Sequence, residues 1–333
     1  MIVTIRGAYK NAGDHLIGKR ASALLARHVD SDVVSIDRKA ITDESYDVMN
    51  RARAVLLTGG PAYQKAIYPG VYSFDLDRIS VPVVPFGLGW KSHWDDSPAS
   101  FSFTPEARDF VLRVHADQGI NSSARCGLTA DVLHGLGISN VLMTGCPAWY
   151  DETNLDVDYV FPSGIKRLVI TAPARPHADT IGLARYLAQR FPRAEKYLAY
   201  QSGYRSPRHS YTLTQLQTIA RARLLGFQPI SFEGDVEKLS SFLSSIDLHV
   251  GYRVHSHIYC LSKRITSVLF AEDSRAVGQA AALGSPVLSS SASVEEKVAE
   301  IDRVLATGGH DVSRAVSRIR ETYPVMLQYL SQF

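Results

Sequence analysis

Short β-rich runs alternate with amphipathic helical stretches along the whole of this chain. That alternation leaves few folds open, chiefly parallel sheets covered by helices on both faces. Ile2–Ile5 predicts a strand, followed by a loop at Gly7–Gly13 and a helix with Ile17, Ala21, Leu24 and Leu25 on one face. Further strands are predicted at Val33–Ile36, Ala54–Leu57, Val81–Pro85 and Asn140–Thr144. Thr104–Ala116 predicts a helix, with Thr104 as cap, Pro105 in the first turn and Glu106 set against the helix dipole. Asp151–Gly164 is polar and acidic and reads as a linker. The alternation then restarts with strand Leu168–Thr171, helix Asp179–Arg190, strand Lys196–Tyr200 and helix Thr214–Leu225. Strand Pro229–Phe232, helix Val236–Ser245, strand Leu248–Gly251, helix Ser256–Ser262, strand Ile265–Phe270 and a helix opening near Ser274 follow. Val294–Phe333 reads as helical. The chain of 333 residues is therefore expected to form two doubly wound Rossmann-like α/β domains, 1–155 and 165–310, with a C-terminal helix, 311–333, packing back on the first. Such domains face a cleft at the carboxyl ends of their strands, where ligands bind.

Composition narrows the class of function. Hydrophobic residues make up 45% and charged residues 21%, as in ordinary globular proteins, and the net charge of +3 lacks the dense basic stripes of a nucleic-acid binder. The local cluster Arg205, Arg208 and His209 reads as a solvated or substrate-edge loop. Cys126, Cys146 and Cys260 are far apart and odd in number, which fits neither a disulfide framework nor a zinc knuckle and suits a reducing cytoplasm. The first residues show no signal-peptide pattern, no apolar run reaches transmembrane length, and Asn121-Ser122-Ser123 reads as a chance sequon. No GxSxG elbow, P-loop or HExxH occurs, and GxGxxG is not met.

The residues after strands carry the chemistry. Gly251-Tyr252-Arg253-Val254-His255-Ser256-His257 follows an apolar strand and enters a helix, whose free N–H groups favour a phosphate or carboxylate. Arg253 there is an anion clamp or an interdomain ion pair; His255 is an acid/base or a helix cap. Glu272, Asp273 and Ser274 end another strand and could grip hydroxyls, or Asp273 simply caps the next helix. Arg175 is a second cation at a strand end. His249, His255 and His257 lie two or more residues apart with no carboxylate at matching spacing, so no metal site is expected. In the first domain, Asn11-Ala12-Gly13-Asp14, Thr58-Gly59-Gly60 and Gly87-Leu88-Gly89 all follow strands and suggest a ligand-facing rim, though each alone suits a turn. Tyr200, Gln201, Tyr204, Arg205 and Arg208 suggest an aromatic and basic wall, or a surface loop.

Together these segments resemble the polysaccharide pyruvyl transferase family. The matching pieces are Asn11-Ala12-Gly13-Asp14, Leu57-Thr58-Gly59-Gly60, Arg125 ahead of Thr129–Leu133, Gly145-Cys146-Pro147-Ala148, and above all Gly251-Tyr252-Arg253-Val254-His255 with Leu269–Gly278. The chain has Val254 where the family usually has leucine, Cys146-Pro147 where Asp-Pro is common, and Pro61 where a third glycine is common. The resemblance implies a GT-B-like fold and transfer of a pyruvyl group from phosphoenolpyruvate to two sugar hydroxyls, giving a cyclic ketal and phosphate without metal or other cofactor. It implies His255 as acid/base and Arg253 as anion clamp, with Arg175 as second clamp and Ser256, Glu272, Asp273 and Ser274 on the donor side. Asn11, Asp14, Gly59, Gly60, Tyr204 and Arg205 would stand on the acceptor side. The acceptor would be a saccharide or lipid-linked saccharide, the latter bringing the chain to the inner face of the cytoplasmic membrane. Two rival readings are a GT-B glycosyltransferase using a nucleotide-sugar, with Glu272 or Asp273 on the ribose, and a non-catalytic saccharide-binding module.

Overall fold

The computed structural model describes residues 1–7, 11–60, 63–117, 119–204 and 209–333, with backbone alone at 209 and 210. It is an α/β structure with parallel sheets. The first lobe runs β1 (Ile2–Arg6), α1 (Ala12–His28), β2 (Val33–Asp37), α2 (Asp43–Asn50), β3 (Ala54–Thr58), β4 (Val83–Phe86), α3 (Pro105–Arg113), β5 (Ser122–Ala124), α4 (Gly127–His134) and β6 (Val141–Met143). Its strands pair in the order β2-β1-β3-β4, all parallel, and the parallel pair β5-β6 joins the β4 side where Gly87 N–H donates to Ser123 O. Every residue of β3 is buried, as expected of a strand covered on both faces.

The second lobe runs β7 (Arg167–Thr171), α5 (Asp179–Arg190), β8 (Glu195–Tyr200), α6 (His209–Leu224), β9 (Phe227–Ser231), α7 (Val236–Leu243), β10 (Leu248–Gly251), α8 (Val254–Ser262), β11 (Thr266–Ala271), α9 (Ser274–Leu283), β12 (Leu288–Ser289) and α10 (Val294–Ala306). Its parallel sheet has the order β12-β11-β10-β7-β8-β9, so the chain reverses direction across the sheet between β7 and β10. That reversal is where an open α/β sheet splays its loops and leaves a crevice, and β10 leads into the Arg253–His255 segment.

The lobes are joined at the back by apolar packing. One cluster runs from Leu16, Ile17 and Leu24 of α1 through Ile258 and Leu261 of α8 to α11 (His310–Leu330), where Ile319 and Met326 are fully buried. The Tyr329 hydroxyl of α11 donates to Pro85 O in the first lobe, while Arg314 of the same helix donates to Gly284 O in the second. Asp151, between β6 and β7, accepts from Arg20 of α1 at 2.9 Å and pairs with Lys263 at the end of α8. Those two cations outweigh the penalty of burial and hold the Asp151 carboxyl well below the usual carboxylate range.

Several elements differ from the sequence expectation. α3 stops at Arg113 rather than Ala116, and α6 begins at His209 rather than Thr214. α2, β5 and β12 are short elements that the apolar pattern does not announce. The shift that matters for chemistry is α8, which opens at Val254 rather than Ser256 and so places His255 inside the first helical turn.

Candidate active site

β10 ends at Gly251, whose φ of 149° and crowded setting exclude a side chain: a Cβ there would come within 2.5 Å of the Thr171 carbonyl oxygen. The chain then turns into α8 with Arg253 at the N-cap position, where its side chain makes no capping bond. The cap site that usually holds Ser, Thr or Asp is instead given to a guanidinium. Its Nε is buried without a partner, and Nη1 lies 3.6 Å from Glu272 Oε2, beyond ordinary hydrogen-bond length.

His255 is 3% exposed and packs against the other lobe. There Asn11 caps α1, its Oδ1 accepting from Gly13 N–H at 3.1 Å and its Nδ2 donating to Asp14 Oδ2 at 3.2 Å. Asp14 Oδ1, with no hydrogen-bond partner, lies 3.5 Å from His255 Nδ1. The ring thus turns Nδ1 toward a carboxylate and leaves Nε2 with no partner in the protein. The close fit depends on Gly13, since a Cβ there would come within 2.7 Å of His255 Cβ. Gly13→Ala is therefore expected to cost about 1–3 kcal/mol of stability through overpacking, read as a lower denaturant midpoint.

Two more arginines complete the charge balance. Arg125 is 1% exposed; its Nε donates to Gly87 O at 3.2 Å, and both terminal nitrogens are buried without partners. Arg275, near the start of α9, is held by Asp273 through Nε at 3.0 Å and Nη2 at 2.6 Å. Burial drives His255 well below its ordinary pKa, and the charges of Arg125, Arg275 and Arg253, in that order, push it further down. The site thus carries a neutral imidazole within electrostatic reach of three guanidiniums, two of them with unsatisfied nitrogens. Such a site is built to receive an anion. The pocket beside Arg253, His255 and Arg275 holds about 40 Å³ and is lined from both lobes, by Asn11 on one side and Gln201, Arg253, His255, Glu272 and Arg275 on the other, with the charge of Arg125 reaching His255 from outside the lining.

The expected site residues fall into distinct groups. Arg253, His255, Glu272, Asp273 and Asn11 line the pocket, and Asp14 backs it through His255. Glu272 is tied to Ala174 N–H at 2.8 Å, and burial raises its carboxyl above the usual range, with Arg253 pulling the other way. Asp273 caps α9 by accepting from Arg275 N–H, and against the penalty of burial Arg275 keeps its carboxyl low. Ser256 and Ser274, expected on the donor side, are not among the residues that line the pocket. The Ser256 hydroxyl accepts from Gln201, and Ser274 ties the lobes by accepting from Ser92 N–H and donating to Trp90 O. Gly59 packs on Ile17 and Gly60 faces Asp14, so both seat α1 against β3 rather than forming an open rim. Tyr204 packs edge-on to Tyr200 and lines a separate recess with Glu233 and Lys238. Arg175 is exposed on the loop after β7, near enough to Lys91 to influence its titration. Arg205 and Arg208 lie outside the described residues. His249 and His257 share Ser267, with His249 also bonded to Thr171, which makes them a buried structural network of the second lobe. Among the described residues, His93, Asp95 and Asp96 bring possible ligand atoms within 4.8 Å of one another on an exposed loop, but Asp96 is already engaged by Ser92 and His93 N–H.

The fold is shared with known proteins at low sequence identity. MnaA from S. aureus, solved with UDP, superposes with a TM-score of 0.60 at 12% identity, covering 98% of this chain and 93% of that one. UDP-GlcNAc 2-epimerase from Neisseria meningitidis, bound to UDP-GlcNAc, gives 0.57 at 11% identity with both chains fully covered. HepE from Anabaena, in complex with UDP and glucose, gives 0.52 at 14% identity, covering 100% and 99%. These likenesses establish a GT-B-like, two-lobed α/β fold. No curated protein matches the chain by sequence. The sequence model of one family, described as polysaccharide pyruvyl transferase, matches residues 11–274, from the cap of α1 to the first residue of α9 and so across nearly all of the pocket. The chain belongs to the polysaccharide pyruvyl transferase family.

Proposed function

We propose that this protein transfers the pyruvyl group of phosphoenolpyruvate to two hydroxyls of a saccharide, forming a cyclic ketal and releasing phosphate. The observation that carries the reading is the partnerless Nε2 of His255 set among the guanidiniums of Arg125, Arg253 and Arg275. A molecule with one carboxylate and one phosphate offers those arginines the charge they lack. In this chemistry His255 takes up a proton from solvent as the anionic donor binds and delivers it to the methylene carbon, making a methyl group and an oxocarbenium-like centre at the carbon bearing phosphate. One sugar hydroxyl attacks that centre and loses its proton to the imidazole. The second hydroxyl forms the other C–O bond as the phosphate C–O bond breaks, its proton leaving with the phosphate. Arg253 and Arg275, which line the pocket, hold the carboxylate and phosphate, and the buried Arg125 adds its charge from behind, the kind of pre-set electrostatic support that removes several kcal/mol from a barrier. The present volume of about 40 Å³ suits roughly one water, so the donor enters when the lobes part. No metal or further cofactor has a part in these steps.

The acceptor fits a second cavity of about 650 Å³ in the first lobe, at the carboxyl ends of β3 and β4, lined by Gln64, Lys65, Lys91, Ser92, Phe101 and Ser102. Lys91 links it to the pocket. Burial lowers its ammonium pKa, and the charges of Arg275, Asp273, Asp14 and Arg175 all reach it. Hydroxyl-rich ligands suit the serines and lysines, and Phe101 offers a ring face. Lys65→Ala is expected to raise the acceptor KM by tenfold or more, the equivalent of losing a charged hydrogen bond of about 1.5–3 kcal/mol. The stabilisation given by phosphoenolpyruvate alone should be unchanged, as read by thermal shift.

The deciding experiment incubates the protein with phosphoenolpyruvate and a panel of glycosides, following phosphate release and product mass together. The structural neighbours hold UDP compounds, so the competing donor is a nucleotide-sugar. Thermal-shift titration should show stabilisation by phosphoenolpyruvate and none by UDP- or GDP-sugars; the reverse result would overturn the proposal.

A further inference from the structure

Helix α6 leaves the apolar pattern of the rest of the molecule. Its inner side buries Gln215, Ile219 and Ala222 toward β9 and α5. On the outside Leu213 and Leu216 are each 50% exposed and Leu224 is 88% exposed, placing three of the most exposed large apolar side chains among the described residues on one helix. With Ala220 between them they recur at helical spacing and fill an outward arc of about 80°, with Arg223 at one edge and Arg221 at the other. Solvent-facing leucines normally occur singly; here they form a stripe.

The stretch of sequence that carries the stripe has charge of one sign. From Tyr197 to Phe232 the sequence contains no aspartate or glutamate, while Arg205, Arg208, Arg221 and Arg223 all fall within it. A stripe of leucines edged by arginines, in an acid-free stretch, is complementary to a surface that is apolar beneath and negative on top. That surface is an anionic lipid bilayer, whose headgroups attract arginine and whose acyl region accepts leucine. A protein partner would be expected to meet some acidic residue here as well as basic ones. α6 is too short to span a bilayer, and no helix among the described residues is long and apolar enough to cross one. It is suited to lie in the interface plane.

We infer that α6 docks the protein on an anionic membrane surface, with Leu213, Leu216 and Leu224 inserted and Arg221 and Arg223 at the headgroups. The helix also follows directly on the segment that begins with Gln201, a wall of the catalytic pocket. Docking there would bring the cleft to the membrane, where a lipid-linked saccharide presents its sugar. This last step rests on the proposed function; the docking does not.

The test is co-sedimentation of the full chain with vesicles of phosphatidylglycerol and phosphatidylcholine, against vesicles of phosphatidylcholine alone. The expected result is binding to the first only, weakened by added salt. It should fall at least tenfold in Leu216→Glu/Leu224→Glu and severalfold in Arg221→Glu/Arg223→Glu. A tryptophan placed by Leu213→Trp should shift its emission to the blue on the anionic vesicles. These positions are exposed, so circular dichroism and the thermal shift by phosphoenolpyruvate should match the parent protein. The inference is overturned if the chain stays in solution with anionic vesicles. It is also overturned if sedimentation velocity shows a dimer that the glutamate variant converts to monomer, which would make the stripe an interface between copies. Loss of the phosphoenolpyruvate response with vesicle binding intact would instead count against the proposed reaction.

Discussion

Replacing His255 with glutamine should lower turnover by about 10²–10⁴-fold, the usual worth of a positioned acid/base, while leaving phosphoenolpyruvate binding largely in place. The pH behaviour separates this role from a merely structural one. In the free protein burial and the three arginines keep the imidazole deprotonated, its pKa well below the ordinary value. An anion bound among Arg125, Arg253 and Arg275 cancels much of that repulsion and raises the imidazole pKa. A ligand that raises a group's pKa binds more tightly at lower pH, across the window between the free and bound values. The apparent affinity for phosphoenolpyruvate should therefore rise by up to about tenfold per pH unit as pH falls through that window. Calorimetry in buffers of different ionisation heat should show uptake of a proton on binding. The substrate's own phosphate titration is common to both proteins and cancels when parent and His255→Gln are compared. A glutamine variant that keeps its turnover within tenfold, or shows the same proton uptake, would remove His255 from the chemistry.

The alternation of apolar runs was enough to read two parallel α/β sheets, because strands covered on both faces are continuous in sequence and so are the stripes of their helices. Arg253 and His255 were legible for the same reason, lying directly after an apolar strand. What escaped the sequence is what depends on distant partners. Arg125 enters the sequence reading only as a piece of the family resemblance; it lies far from His255 in the chain, and nothing in its neighbours announces that its terminal nitrogens are buried and unpaired with their charge reaching that imidazole. Arg275 is silent in the sequence because only the fold shows Asp273 holding it at the pocket. β5 reads Ser-Ser-Ala, a polar run, and is a buried strand because Ser123 finds Thr144 and Gly87 across the packing. Ser256, Ser274, Gly59 and Gly60 had the right residue types at strand or helix ends, yet the packing uses them for lobe and helix contacts. Residue type and position name candidates; which polar groups remain unsatisfied is settled only by tertiary structure.

The same burial that tunes the site should make the whole fold sensitive to acid. Four imidazoles are held neutral inside the protein: His115 is lowered to about 4 and His257 to about 3, both chiefly by burial, and His249 and His255 lie well below the ordinary value for the same first reason. The hydrogen bonds of His115 suit the neutral ring, to Val111 O at 2.7 Å and the Tyr63 hydroxyl at 3.3 Å. A histidine whose folded pKa is depressed binds its proton more readily in the unfolded chain. Its contribution is therefore complete above the ordinary value and declines as pH drops through that value toward the folded one. At pH 5 a ring such as His115 or His257 has lost about 2 kcal/mol, already a large share of the stability of a domain, and His249 and His255 act in the same direction. The denaturant midpoint should change little between pH 8 and 7 and fall steeply between pH 6 and 5, before Asp151 and the other paired carboxylates begin to take up protons. His115→Gln, away from the pocket, should flatten that slope by roughly one proton. A midpoint that stays constant from pH 7 to 5 would mean that the buried rings titrate alike in the folded and unfolded chain, and the depressed His255 pKa from which proton uptake on anion binding is argued would have to be abandoned with them.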